Sequence, residues 1–85
     1  MTDEELFALV KMNLRVMNDT FDDEIKSLIA EAESDISEST NSAFDLSRRM
    51  ECRAVVTYCR AKFGEGDPRA EELYRNQLSK LGIQS

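Results

Sequence analysis

Four stretches of the chain repeat their apolar residues at the three- and four-residue spacing of an amphipathic α-helix. In the first stretch Leu6, Val10 and Leu14 share one face, with Phe7 beside them. Thr2 and the glutamate three residues later, Glu5, match the S/T-x-x-E capping box that starts many helices. The pattern therefore predicts a short first helix that begins after Thr2 and ends near residue 13.

The second stretch is the most regular of the four. Its apolar positions fall within an arc of about 100° on a helical wheel; they are Phe21, Ile25, Leu28, Ile29, Ala32 and Ile36. Asp19 or Thr20 is suited to cap this helix, because a short oxygen-bearing side chain can accept from the first free N–H groups. The helix is predicted to end near Glu38, followed by a polar loop over residues 39–45 with Phe44 as an apolar anchor.

The third and fourth stretches form a predicted helical hairpin. Apolar residues occupy most of the circumference between residues 46 and 63, so the third helix should be central and contacted from several sides. Tyr58 and Phe63 are expected to pack against the second helix. Gly64 suits the left-handed end of a helix, whereas Asp67 and Pro68 suit the cap and first position of the next one. The fourth helix is predicted to end at Gly82.

These elements predict an all-α fold: one four-helix domain over residues 1–85, with a short first helix, two long central helices and a C-terminal helical hairpin. With 85 residues, 41% hydrophobic and 33% charged, the composition is that of a small globular domain. The net charge of −6 argues against a general nucleic-acid binder, which needs a basic surface. No apolar run approaches the ~18 residues of a membrane span, and the acidic start "MTDEELF" resembles neither a signal peptide nor a transit peptide. A cytosolic protein without membrane contact is expected.

Candidate reactive residues are few. The chain has no histidine, and its two cysteines, Cys52 and Cys59, lie seven residues apart on one predicted helix. Their Cα atoms would be roughly 10 Å apart along the helix axis, too far for a disulfide. Two thiols without histidine do not make a zinc site or an activated nucleophile, and no glycine-rich phosphate loop is present. We expect no catalytic, cofactor-binding or metal site, and therefore no enzyme.

The charge is distributed unevenly along the chain. Residues 18–38 carry eight acids and one base, whereas residues 46–63 carry five bases and one acid. On helical wheels four of the acids form one stripe of the second helix and three of the bases form one stripe of the third. The acidic stripe is Glu24, Glu31, Asp35 and Glu38, and the basic stripe is Arg49, Arg53 and Arg60. The stripes could pair within one subunit, remain solvated, or form a subunit interface in which the acidic stripe of one copy meets the basic stripe of the next.

Two segments carry a resemblance to a known family. "FDDEIKSLIAEAESDI" (21–36) followed by "AVVTYCRAKFGEGDPRAEELYRNQLSKL" (54–81) is similar to the small head–tail connector proteins of tailed bacteriophages, which are often labelled DNA-packaging proteins. The resemblance extends over residues 4–81 and lies in the order and punctuation of the helices.

This resemblance implies a structural virion adaptor without cofactors. Identical subunits, monomeric in isolation, would assemble beneath the portal as a ring of about twelve. The ring would extend the DNA channel and join head to tail after DNA packaging. Its partners would be the portal protein, the next connector or tail protein, and passing DNA bound without sequence specificity. Its location would be the head–tail junction of the virion, and the host cytoplasm during assembly.

Two other classes of function fit the composition. One is an acidic DNA mimic that inhibits a nucleic-acid-binding protein, although the basic third helix argues against it. The other is a small acidic helical interaction module.

Overall fold

Four α-helices make up most of the described part of this chain. The computed structural model describes residues 1–83 and contains α1 (Asp3–Leu14), α2 (Asp22–Thr40), α3 (Arg49–Lys62) and α4 (Pro68–Ile83). They make up 73% of the described chain, in which no strand occurs. The predicted all-α, four-helix fold is confirmed.

Two of the predicted helix starts are present in atomic detail. At α1 the Thr2 hydroxyl accepts from the Glu5 N–H at 3.1 Å, and the Thr2 N–H donates to the Glu5 carboxylate at 2.8 Å. At α4 the Asp67 carboxylate accepts from the Arg69 N–H at 3.0 Å, and Pro68 is the first helical residue. Both starts depend only on residues within one turn of the helix end, and both predictions are confirmed.

The predicted caps of α2 are wrong. The N-cap residue is Phe21, and no side chain accepts a hydrogen bond there. Asp19 and Thr20 instead belong to a turn before the helix, in which the Thr20 N–H donates to the Asn18 side chain at 3.1 Å. The Asp22 N–H donates to the Asp19 carbonyl at 3.2 Å in the same turn. At its other end α2 runs on to Thr40, two residues beyond the predicted end.

Helix α3 begins three residues later than predicted. The Asp45 carboxylate accepts from both the N–H and the hydroxyl of Ser47, at 2.9 and 2.7 Å, and these bonds hold residues 45–48 in a turn. The predicted end of α4 is also wrong, because the helix continues through Gly82 to Ile83. Gly64, with φ +62°, does follow the end of α3 in the left-handed conformation that glycine favours.

Helix α3 is the central element, as predicted, and contacts each of the other three helices. The core around it is apolar; its fully buried members include Leu6, Val10, Ile25, Ala32, Ile36, Ala54, Val55 and Cys59. The domain is flattened, with extents of 37 × 28 × 16 Å, so most helices retain one broad face toward solvent.

Tyr58 of α3 and Phe63, the residue that follows α3, take different neighbours. Phe63 packs edge-on against Phe21 with ring centroids 5.5 Å apart, which agrees with the predicted contact to the second helix region. Tyr58 lies beside Glu31 and Asp35 of α2, as predicted, but it is half-buried and also packs edge-on against Tyr74 of α4, with ring centroids 5.1 Å apart. The α3–α4 hairpin brings these two tyrosines together.

Candidate functional site

The two cysteines are free and buried. Burial raises the pKa of the Cys59 thiol to about 12, and burial also raises the pKa of Cys52. The Cys52 thiol donates to the Leu46 carbonyl at 3.3 Å, which ties the start of α3 to the preceding turn. Because the thiolate is the reactive form, neither side chain is an activated nucleophile.

A buried carboxylate lies in the first turn of α3. Glu51 is 1% exposed, and the Arg48 Nε atom lies 3.5 Å from one of its oxygens. Neither Glu51 oxygen has a hydrogen-bond partner among the described residues. Its position in the first turn of α3, beside Arg48, suits an acidic side chain, because the helix dipole favours negative charge at this end.

Within residues 1–83 no group of three or more acidic or cysteine side chains is arranged to hold a metal ion. Over the same residues, none of the helices combines the length and the apolar character needed to cross a membrane.

The acidic stripe of α2 divides into two parts. Glu24, Glu31 and Glu38 are exposed. Asp35 is half-buried and accepts a 2.6 Å hydrogen bond from the Tyr74 hydroxyl. Burial and this hydrogen bond raise the pKa of Tyr74 well above its ordinary range. Three members of the stripe, Glu31, Asp35 and Glu38, line an open depression with Tyr58 at its edge.

The basic stripe of α3 is also divided. Arg49 and Arg53 are exposed and line a cleft between α1 and α3, together with Met1, Leu9 and Leu46. Arg60, near the other end of the helix, lies 3.7 Å from the Asp67 carboxylate at the cap of α4.

None of the ion pairs among the described residues joins the acidic stripe to the basic stripe. The acidic partners in those pairs belong to other positions: Asp22, Asp45, Glu51, Asp67 and Glu71. The structure therefore gives no support to pairing of the stripes inside one subunit. Solvation and contact with another molecule remain as interpretations of their charge.

Sequence reasoning missed a groove between α1 and α2. Its floor is the Phe7 ring with Ile29 and Ala30, its volume is about 380 Å³, and its rim carries Asp3, Glu4, Lys26 and Glu33. The ammonium groups of Lys11 and Lys26 lie 5.4 and 5.3 Å from the centroid of the Phe7 ring. The signal in the sequence was the position of Phe7 at the edge of the apolar face of α1, where the ring need not be fully covered.

The carboxylates of this groove are not neutralised by ion pairs among the described residues. Burial, and secondarily the nearby Asp3 carboxylate, raises the pKa of Glu33. Lys11, by contrast, is engaged by Asp22 at 2.7 Å. The groove thus combines an apolar floor with an excess of negative charge.

Comparison with protein-family models, with curated proteins and with solved structures gives no match for this chain.

Proposed function

We propose that this protein is a structural adaptor of a tailed bacteriophage, which forms a ring beneath the portal and joins head to tail after DNA packaging. The ring would extend the DNA channel and present a surface to the next connector or tail protein. The proposal combines the resemblance of residues 4–81 to head–tail connector proteins with the distribution of charge over the folded domain.

The observation that carries the proposal is the presence of opposite, unpaired charges on separate faces of one helical domain. Glu24, Glu31 and Glu38 are exposed on α2, and Arg49 and Arg53 are exposed on α3. Among the described residues none of these five side chains takes part in an ion pair. A ring of identical subunits needs two different complementary patches on each chain, and these two sets provide them.

Apolar surface must supply most of the affinity, because an exposed ion pair contributes only ~0–1 kcal/mol. Several large apolar side chains are exposed and could be buried between subunits. They are Met12, Met17, Phe21, Met50 and Leu73, each at least 44% exposed. The acidic net charge is compatible with a channel protein, since a wall without a basic surface does not hold the phosphate backbone.

The direct test is the protein content of virions. Tailed particles released by the source strain would be purified by density gradient and analysed by quantitative mass spectrometry. The proposal expects this chain at about twelve copies per particle, in fixed ratio to the portal protein. Its absence from intact particles would refute a virion role and favour the small interaction module or the DNA mimic.

A charge-reversal experiment tests the assembly surface. Arg53→Glu should prevent incorporation into particles, and, if the two stripes meet between subunits, adding Glu31→Arg in the same chain should restore part of it. Arg69→Glu is the matched control, because Arg69 is also exposed but lies outside both stripes. Normal incorporation of the Arg53→Glu protein would show that the stripes do not pair between subunits.

A further inference from the structure

We infer that the groove between α1 and α2 receives the side chain of Met50 from a second copy of this chain, with Arg49 and Arg53 of that copy against the acidic rim. The inference rests on the proposed ring and specifies one of its contacts. It assigns Arg53 a partner on the α1–α2 side of the subunit, Glu33, in place of Glu31.

The groove has the chemistry of a receptor for an apolar side chain flanked by cations. Phe7, Ile29 and Ala30 form its floor, and three carboxylates against one ammonium form its rim. Of the three rim carboxylates, Glu33 would be stabilised most by a neighbouring cation. Its pKa is raised by burial and by Asp3, and a guanidinium brought to the rim would favour its ionised form.

The start of α3 presents the complementary group. Met50 is 44% exposed, and its flexible thioether side chain adapts to irregular apolar cavities. Arg49 and Arg53 stand one turn apart on the same side of α3, and Met50 lies beside them. No other exposed apolar side chain has two unpaired arginines as neighbours among the described residues; Leu73, for example, directly follows Glu71 and Glu72.

The two surfaces lie on opposite flanks of α1, and among the described residues no ion pair joins the acidic rim to Arg49 or Arg53 within one chain. Phe7 lines the groove toward α2, and Leu9 lines the cleft toward Arg49 and Arg53. Residues two apart on a helix point roughly 160° away from each other at 3.6 residues per turn. When the groove of one copy binds Met50 of another, one groove and one Met50 remain free in the pair. Further copies can therefore add until a ring closes.

Zero-length cross-linking can identify the carboxylate that faces position 53. The Arg53→Lys protein keeps the charge and adds an amine, which a carbodiimide joins to a touching carboxylate as an amide with loss of water. Equal amounts of isotopically labelled and unlabelled protein would be mixed at high concentration, so that products between copies carry one chain of each kind. Arg69→Lys is the matched control, since it adds an amine at an exposed position outside both stripes.

The inference expects an intermolecular amide from position 53 to Asp3, Glu4 or Glu33, and a ladder of products beyond the dimer. The same linkage should be found in purified particles. Cross-links to Glu24, Glu31 or Glu38 would overturn the groove assignment and leave the proposed ring intact. Absence of intermolecular products both in solution and in particles that contain the protein would also overturn it. Absence of the protein from particles is the separate result that refutes the proposed function.

A second variant tests the groove without disturbing the core. Ala30 lines the groove and is exposed, so Ala30→Arg should place a cation in the groove and leave the domain folded. The yield of position-53 cross-links should fall about tenfold, as expected for the loss of one well-formed contact. Ala8→Arg, at an exposed position of α1 outside the groove lining, should leave the yield unchanged. Equal yields in the two variants would contradict the inference.

Discussion

The hydroxyl of Tyr74 donates a 2.6 Å hydrogen bond to the carboxylate of Asp35, two residues that are 39 positions apart in the sequence. The bond ties α4 to α2 across the outer edge of the core. It also removes one carboxylate of the acidic stripe from the set that is free to meet another molecule. Asp35 therefore has a structural role, whereas its neighbours Glu31 and Glu38 in the acidic stripe are exposed.

Removal of the Tyr74 hydroxyl should destabilise the domain. In the Tyr74→Phe protein the half-buried Asp35 would lose its donor, which we expect to lower the free energy of unfolding by ~1–3 kcal/mol. Chemical denaturation monitored by circular dichroism measures the difference. A double-mutant cycle with Asp35→Asn isolates the pair, and Tyr58→Phe is the control for loss of a tyrosine hydroxyl. An unchanged unfolding free energy in Tyr74→Phe would show that the bond does not stabilise the fold.

Alkaline pH should destabilise the domain. The pKa of Tyr74 is raised from an ordinary value of 10.0, first by burial, and the pKa of Tyr58 is raised for the same main reason. A raised pKa in the folded state means that stability is complete below the ordinary value and is lost as the pH rises above it. Tyrosinate absorbance and loss of helical circular dichroism should therefore appear together above about pH 10. Ionisation of both tyrosines before any loss of helix would contradict this prediction.

The sequence predicted the parts of this fold that depend on neighbouring residues. Thr2 with Glu5 and Asp67 with Pro68 each define a helix start within one turn, and each is present as predicted. The start of α2 was not predictable in this way. Phe21 takes the cap position although its side chain cannot accept a hydrogen bond, and its ring packs on Phe63 from a distant part of the chain. Such a contact overrides the local preference of Asp19 and Thr20.

The candidate surfaces were predictable in composition but not in detail. Periodicity placed Glu31 and Arg53 on exposed faces, as the structure has them. It could not show that Asp35 bonds to Tyr74 or that Arg60 lies near Asp67, since both contacts depend on how α4 packs. The groove at Phe7 was missed because it exists only where two helices meet at a particular angle.

Truncation of Phe63 should weaken the domain without unfolding it. A fully buried phenylalanine replaced by alanine costs ~3–5 kcal/mol, but Phe63 is half-buried and its partner Phe21 is 45% exposed. We therefore expect Phe63→Ala to lower the unfolding free energy by about 2 kcal/mol. A double-mutant cycle with Phe21→Ala should give a coupling of ~0.5–1.5 kcal/mol for the edge-on pair. Zero coupling would indicate that the ring contact in the structure is not maintained in solution.

The two glycines of the α3–α4 turn should respond differently to alanine. Gly66 has φ +80°, and a Cβ atom placed there would lie 2.7 Å from the Ala61 carbonyl oxygen. Gly64 has φ +62°, and a Cβ atom there would meet no atom within 4 Å. The left-handed conformation alone costs an alanine ~1–2 kcal/mol, so Gly64→Ala should lose about that much. Gly66→Ala should lose clearly more, because the carbonyl is backbone and also accepts from the Asp67 N–H. Equal losses in thermal melts of the two variants would contradict the geometry of this turn.

Neutralisation of Glu33 should stabilise the monomer and weaken its self-association. The pKa of Glu33 is raised from its ordinary value of 4.5, so this side chain favours the folded state when it is protonated. That contribution is complete below the ordinary value and is lost as the pH rises through the folded-state pKa. The melting temperature of Glu33→Gln should therefore match that of the unchanged protein in acid and exceed it at neutral pH.

Association of Glu33→Gln should show the reverse and become weaker, because the variant lacks the carboxylate that would meet an arginine of the next copy. Sedimentation at neutral pH measures this second effect, and Glu72→Gln, at an exposed position of α4 outside the groove and both stripes, is the control for loss of a charge. A side chain needed only for folding would lower stability and association together, whereas opposite changes in Glu33→Gln identify one whose charge is retained for contact with a partner.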